Sequence, residues 1–151
     1  MNCSIKTVSS ATAALFVLLG SQSAFALTTE HATICKPYGN SGTAGLFSYT
    51  NGVYNNSGTA MGVICPVVRT VAAGAAGYSV WVDGTSSSTT SCTLYSYNYA
   101  GAYLGSTSFS ATGRFSRLLT LPQSQVPTYS SQAVYCYLPT NGSLNDIEPV
   151  Q

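Results

Sequence analysis

The chain has 151 residues, 45% of them hydrophobic and 11% aromatic, with only 6% charged and a formal net charge of +1. So sparse a basic charge excludes the phosphate-neutralising surface that nucleic-acid binding needs. A chain this rich in tyrosine, valine and leucine is also unlike a disordered one, which cannot bury enough apolar surface to fold.

The first element in chain order is a leader. Lys6 precedes the apolar run Ala13-Ala14-Leu15-Phe16-Val17-Leu18-Leu19, and Ser23-Ala24-Phe25-Ala26 supplies a small-x-small cleavage site. Residues 1–26 therefore read as a secretory signal peptide, and residues 27–151 as one secreted domain, periplasmic or extracellular. The apolar run falls short of the roughly 20 residues of a transmembrane helix, and nothing after residue 27 approaches that length, so no transmembrane segment is expected. Within 27–151, Lys36, Arg69, Arg114 and Arg117 balance Glu30, Asp83, Asp146 and Glu148, leaving no net charge.

After the leader comes His31, the single histidine, beside Glu30 and ahead of Lys36. These three read as a mobile N-terminal segment before the first cysteine, not as an acid–base cluster. Short β segments then alternate with Gly, Ser, Thr and Asn clusters, and no helical period appears. The expected strands are Gly45 to Thr50, Ala60 to Thr70, Tyr78 to Asp83, Ser91 to Tyr99, Tyr103 to Ser110, Phe115 to Leu121 and Gln132 to Pro139. Asn51-Gly52 has the chemistry of a two-residue hairpin turn, Asp83-Gly84 with Thr85 to Thr90 reads as a polar loop, and Gly101 closes a hairpin onto the Tyr103 strand. The expected fold class is all-β, an antiparallel β-sandwich of about seven strands.

Side chains alternate between the two faces of a strand. In the stretch Cys92-Thr93-Leu94-Tyr95-Ser96-Tyr97, the residues Cys92, Leu94 and Ser96 share one face, and Thr93, Tyr95 and Tyr97 share the other. Val134, Cys136 and Leu138 likewise lie together, opposite Ala133, Tyr135 and Tyr137. With the cysteine-bearing faces toward the core, both strands turn tyrosines outward, and Trp81, between Val80 and Val82, faces outward too.

Four cysteines remain after the leader: Cys35, Cys65, Cys92 and Cys136. An even count in an exported chain points to two disulfides, whereas a zinc site would bring close Cys-x-x-Cys pairs, which are absent here. The matching strand patterns favour Cys92–Cys136, leaving Cys35–Cys65. The rival pairing is Cys65–Cys136 with Cys35–Cys92, suggested by the immunoglobulin-like intervals of Cys65, Trp81 and Cys136. Against it, the tyrosine which that family places two residues before the second cysteine is Val134 here.

Three stretches carry a resemblance: Tyr54-Asn55-Asn56-Ser57 leading to Val63-Ile64-Cys65-Pro66-Val67-Val68-Arg69, then Ser91-Cys92-Thr93-Leu94-Tyr95-Ser96, and Tyr135-Cys136-Tyr137-Leu138-Pro139. Together, with a Cys-Pro-x-x-Arg motif and a C-terminal Tyr-Cys-x-Leu-Pro strand, they make the chain similar to a family of small exported bacterial proteins. The resemblance implies a secreted bacterial β domain and supplies no activity, ligand or catalytic residue.

Catalysis needs a positioned acid, base, nucleophile or metal. Asp146 and Glu148 sit in the C-terminal tail, a poor place for the two carboxylates that flank a glycosidic bond. Serines lack a base partner, so no catalytic residue, no enzymatic activity and no cofactor is expected. Asp83, Asn145 and Asp146 offer oxygen ligands of the kind calcium takes, without forming a recognisable loop. Asn55-Asn56-Ser57 and Asn141-Gly142-Ser143 fit the N-glycosylation pattern.

Tyrosine is the informative residue: all eleven lie in 27–151 among many Ser, Gly, Asn and Thr. That mixture resembles binding surfaces, where tyrosine offers a rigid amphipathic contact, although cross-strand tyrosines also simply stabilise sheets. Two functional readings follow. The first is a non-enzymatic structural or surface-assembly protein, self-associating or meeting a cell-surface partner through a tyrosine-rich sheet face. The second is a module binding carbohydrate or another extracellular ligand through the same face, with Trp81, Tyr95, Tyr97, Tyr135 and Tyr137 stacking on sugar rings and Asn98 and Thr93 bonding hydroxyls.

Overall fold

The computed structural model describes residues 30–39, 45–68 and 77–150; residues 1–26, expected as a signal peptide, and Arg69 lie outside them. Nine antiparallel strands follow in chain order: β1 (Glu30–His31), β2 (Lys36–Pro37), β3 (Leu46–Tyr49), β4 (Gly52–Asn55), β5 (Met61–Val67), β6 (Gly77–Tyr97), β7 (Tyr103–Pro122), β8 (Ser131–Leu138) and β9 (Ser143–Val150). The expected all-β antiparallel architecture is realised, stapled by Cys35–Cys65 and Cys92–Cys136. The immunoglobulin-like pairing is thereby overturned: Cys92 and Cys136 are direct register partners on adjacent strands.

The spine of the fold is one long hairpin. β6, of 21 residues, pairs with β7 on one edge along nearly its whole length. On its other edge it pairs first with β9, from Ser79 to Thr85, and then with β8, from Ser91 to Tyr97. The sheet order β2-β5-β8-β6-β9-β4-β3 thus divides into two halves joined through β6, and the sheet curls until it nearly closes.

The sequence reading breaks this hairpin where the structure continues it. Thr85 to Thr90, expected as a loop, belongs to β6, and the two separate strands expected in residues 103–121 are one strand. The polar stretch marks a bulge instead: Ser86 pairs with Gly113 and Thr90 with Ala111, so residues 87–89 face only Thr112. Two extra residues on one strand bend the ladder and sharpen its twist while preserving parity. Tyr78, Val80, Val82 and Ser86 before the bulge and Thr90, Cys92, Leu94 and Ser96 after it all stay buried. The core between the halves is completed by Val53, Val63, Val134, Leu138, Leu144 and Ile147, each fully buried.

The chain ends also depart from expectation. Residues 143–150, read as a tail bearing Asp146 and Glu148, form β9, which lies between β6 on one side and β4 with β1 on the other. His31 is not in a free segment: β1 pairs with β9, and Nδ1 of His31 stands 3.0 Å from a carboxylate oxygen of Asp146. Asp146 is also the register partner of Asp83. Lys36 lies elsewhere, on β2 against β5.

Two turns show how local chemistry sets the register. The β3–β4 hairpin forms one residue earlier than Asn51-Gly52 suggests, with Tyr49 opposite Gly52 and Thr50-Asn51 as the loop. Gly52 is required by proximity, since a Cβ there would lie 2.1 Å from the Leu144 carbonyl oxygen. The β6–β7 turn forms at Gly101 as expected, with φ at +78°. Asn98 holds it: its side-chain oxygen accepts the backbone N–H groups of Ala100 and Ala102, both at 2.9 Å.

Candidate functional site

The outward face of the half-sheet β2-β5-β8-β6 is built from register alone. Lys36, Ile64, Tyr135 and Thr93 form one cross-strand row; Pro66, Ala133 and Tyr95 form the next; Ser131, Tyr97 and Tyr103 form a third. Tyr137, in the row of Gly62 and Ser91, shares the face. The small Ala133 between the tyrosine rows leaves a gap, and the gap is a cleft. It encloses about 350 Å³ and is lined by Tyr38, Ile64, Tyr95, Tyr97, Ala133 and Tyr135.

Two pairs of rings wall this cleft. Tyr38 meets Tyr135 edge-on with centroids 5.4 Å apart, and Tyr95 stacks on Tyr97 at 6.2 Å with 27° between planes. Tyr103, from β7, braces the second pair at 6.4 Å from Tyr95 and 6.1 Å from Tyr97, and its hydroxyl bonds the Ser106 hydroxyl at 2.8 Å. Such offset and edge-to-face contacts hold aromatic rings in place beyond their burial. The Tyr135 ring lies across Gly62, where a Cβ would stand 2.7 Å from its hydroxyl oxygen. Only a glycine at that position lets the ring lie so low.

Among the described residues, no charged side chain lines the cleft. Partial burial, followed by the neighbouring Tyr137, Tyr95 and Tyr38, holds the Tyr135 phenol above its ordinary value; burial and then Tyr54 do the same for Tyr49. A raised phenol favours the neutral form in the fold, so its contribution to stability is intact below about pH 10 and is lost as pH rises through the folded value. Alkaline unfolding of Tyr135→Phe should accordingly begin at higher pH than that of the wild type. Superimposable stability curves between pH 9 and 12 would contradict this.

Of the sequence-predicted residues, Tyr95, Tyr97 and Tyr135 meet in the cleft, and Tyr137 stands at its margin, 48% exposed. Trp81 does not join them. It is outward-facing as expected, 37% exposed, but it sits before the bulge with Glu148 and Leu118 as register partners. The side-chain oxygen of Asn98 is committed to its turn, whereas Thr93 sits in the row of Tyr135. Tyr38, Ile64 and Tyr103 escaped sequence reasoning, while Ala133 was placed on the tyrosine face without its role as the gap. Tyr103 was within reach, because Gly101 already folds its strand back onto Tyr97; Tyr38 and Ile64 needed the β2–β5–β8 pairing.

Among the described residues, no group of three His, Cys, Asp or Glu side chains is placed to hold a metal ion, and Asp146, offered as a calcium ligand, is paired with His31. Asn55 of the first glycosylation triplet is completely buried. No helix among the described residues is long and apolar enough to cross a membrane.

No protein-family model matches this chain, and no curated protein matches it. Among solved structures, the carbohydrate-binding module TmCBM61, in complex with β-1,4-galactotriose, is similar with a TM-score of 0.50 at 13% sequence identity. The match covers 83% of this chain and 86% of that one. A likeness at this identity speaks to the fold.

Proposed function

We propose that the protein is a non-catalytic carbohydrate-binding module that takes a neutral oligosaccharide into the cleft between Tyr38 with Tyr135 and Tyr95 with Tyr97. The observation that carries this is the cleft itself, concave, uncharged and walled by tyrosines that other tyrosines hold in position. Small-molecule sites are concave and mostly apolar with a few polar groups. Phenol rings present apolar faces to sugar C–H groups, and their hydroxyls with Thr93 bond sugar hydroxyls. The shared fold with a carbohydrate-binding module supports the same reading. Packing of the tyrosine face on another copy has less support, because a cleft between ring pairs is a poor surface for flat contact. The two disulfides support action outside the cytoplasm, in an oxidising compartment.

Calorimetric titration with neutral oligosaccharides, β-1,4-galacto-oligosaccharides first and a glycan array after them, tests this. Tyr95→Ala and Tyr135→Ala should each weaken binding about tenfold or more, which corresponds to roughly 1.4 kcal/mol for a lost aromatic contact. Gly62→Ala, which lifts the Tyr135 ring, should weaken binding while Trp81→Ala leaves it unchanged. Absence of any glycan signal, or one indifferent to Tyr95→Ala and Tyr135→Ala, would overturn the reading.

A further inference from the structure

The described residues leave one long sheet edge. At the two ends of the sheet order, β2 has two residues and β3 four, and short edges of that kind are self-protecting. β7 has twenty residues, and among the described strands it pairs with β6 alone. Its other edge offers a row of backbone donors and acceptors, the template on which another strand adds.

The two halves of that edge are built differently. Residues 113–117 are guarded. Gly113, at φ +78°, sits in the bulge, and Arg114 is exposed. Arg117 occupies a position opposite fully buried Val82, so its register points it toward the core, yet it is exposed. An inward-register charge that escapes to solvent is a device that blocks strand addition. Residues 103–111 carry no such guard: Tyr103-Leu104-Gly105-Ser106-Thr107-Ser108-Phe109-Ser110-Ala111 has no charge and no proline. Ser106, Ser108 and Ser110 are exposed and small enough to leave the backbone accessible.

We propose that residues 103–111 of β7 pair antiparallel with the same residues of a second copy of this chain, joining the two sheets across a two-fold axis near Thr107. A second copy is the occupant that the charge pattern fits. About that axis the uncharged stretches oppose each other, with Ser106 across from Ser108, and Arg114 and Arg117 of both copies fall beyond the ladder. An isologous interface of one patch with itself is the common form of soluble dimers. The two-fold axis stands perpendicular to the sheet, so both outward faces lie on one side. Ser106 is the register partner of Tyr95, which places the two tyrosine clefts on one continuous surface, able to engage a multivalent ligand with avidity. The pairing itself does not depend on what the clefts bind.

Sedimentation velocity of the oxidised protein over a wide concentration range tests it. The wild type should show a dimer fraction rising with concentration, with amide exchange slowed across 103–111 in step. The S106K/S108K variant, at exposed positions, should weaken dimerisation at least tenfold, because each lysine faces a lysine across the axis; Ser116→Lys on the guarded half should not. A wild type that stays monomeric at millimolar concentration, or a double-lysine variant that dimerises as the wild type does, overturns the proposal. So does protection of 103–111 that appears only with a different protein present.

Discussion

Asn55→Leu should destabilise the protein by about 3 kcal/mol, the sum of a few buried polar groups left without partners at 1–3 kcal/mol each. Asn55 is completely buried. Its amide nitrogen donates to the carbonyls of Thr59 and Leu138 at 3.0 Å and of Pro139 at 3.1 Å. Its side-chain oxygen accepts the Ser57 backbone N–H at 2.9 Å and the Ser57 hydroxyl at 2.6 Å. The backbone of the same residue bonds Gly142 and Asn141. One side chain thus ties the end of β4 to the loop before β5 and to the turn between β8 and β9. Leucine matches its size and satisfies none of these groups. Asn55→Asp separates the roles, for it keeps the acceptor and loses the donors while burying a charge, so it should cost at least as much as leucine. Urea unfolding midpoints would measure both, and a loss below about 1 kcal/mol for leucine would show that the turn holds without this network.

Removing Cys92–Cys136 by the paired alanine substitution should cost about 4 kcal/mol. The sequence separation is 44, and the chain-entropy treatment assigns roughly that much to a loop of this size. Both sulfurs are fully buried between central strands, so packing loss adds to the loop term. Cys35–Cys65, with a separation of 30, has a nearly equal loop term, about 3.7 kcal/mol by the same treatment, but a different structural setting. It anchors β2, a two-residue edge strand next to Tyr38, whose backbone N–H bonds the Gly62 carbonyl. Loss of that bridge should release the edge locally and take one wall of the cleft with it. Thermal melts and sugar titrations on the two paired variants distinguish the cases. Cys92→Ala/Cys136→Ala should show the larger drop in melting temperature, and Cys35→Ala/Cys65→Ala the larger drop in affinity per degree lost. Equal behaviour would remove the distinction between central and peripheral bridges.

What could be read in the sequence follows from the range of the interactions involved. Alternation within a strand is local, so the buried faces of Cys92-Leu94-Ser96 and Val134-Cys136-Leu138, the outward tyrosines and the preferred disulfides were all legible. β9 was not, because Leu144 and Ile147 are three apart: Asn145 is an extra residue between the pairs Asp83–Asp146 and Gly84–Leu144, and it breaks the period on which strand reading relies. Thr85 to Thr90 misled for a related reason, since a bulge in a continuous ladder has the composition of a loop. The cleft was half legible. Tyr95, Tyr97 and Tyr135 declared their face by parity, whereas Trp81 obeys the same parity on the other half of the hairpin. Only the pairing of β6 with two different neighbours separates them.

β9 also sets a condition on when this protein can fold. The strand held between β6 and the β4–β1 edge comes after the other eight described strands in chain order. Until residues 143–150 have left the ribosome, β4 has no neighbour on that side and Val53, Val80 and Val82 have no Leu144 or Ile147 to cover them. A nascent chain therefore stays incomplete until residues 143–150 have emerged, and its closing step joins residues far apart in sequence, which is slow compared with local contacts. Removal of residues 143–150 would act on the described fold like the withdrawal of a central stave.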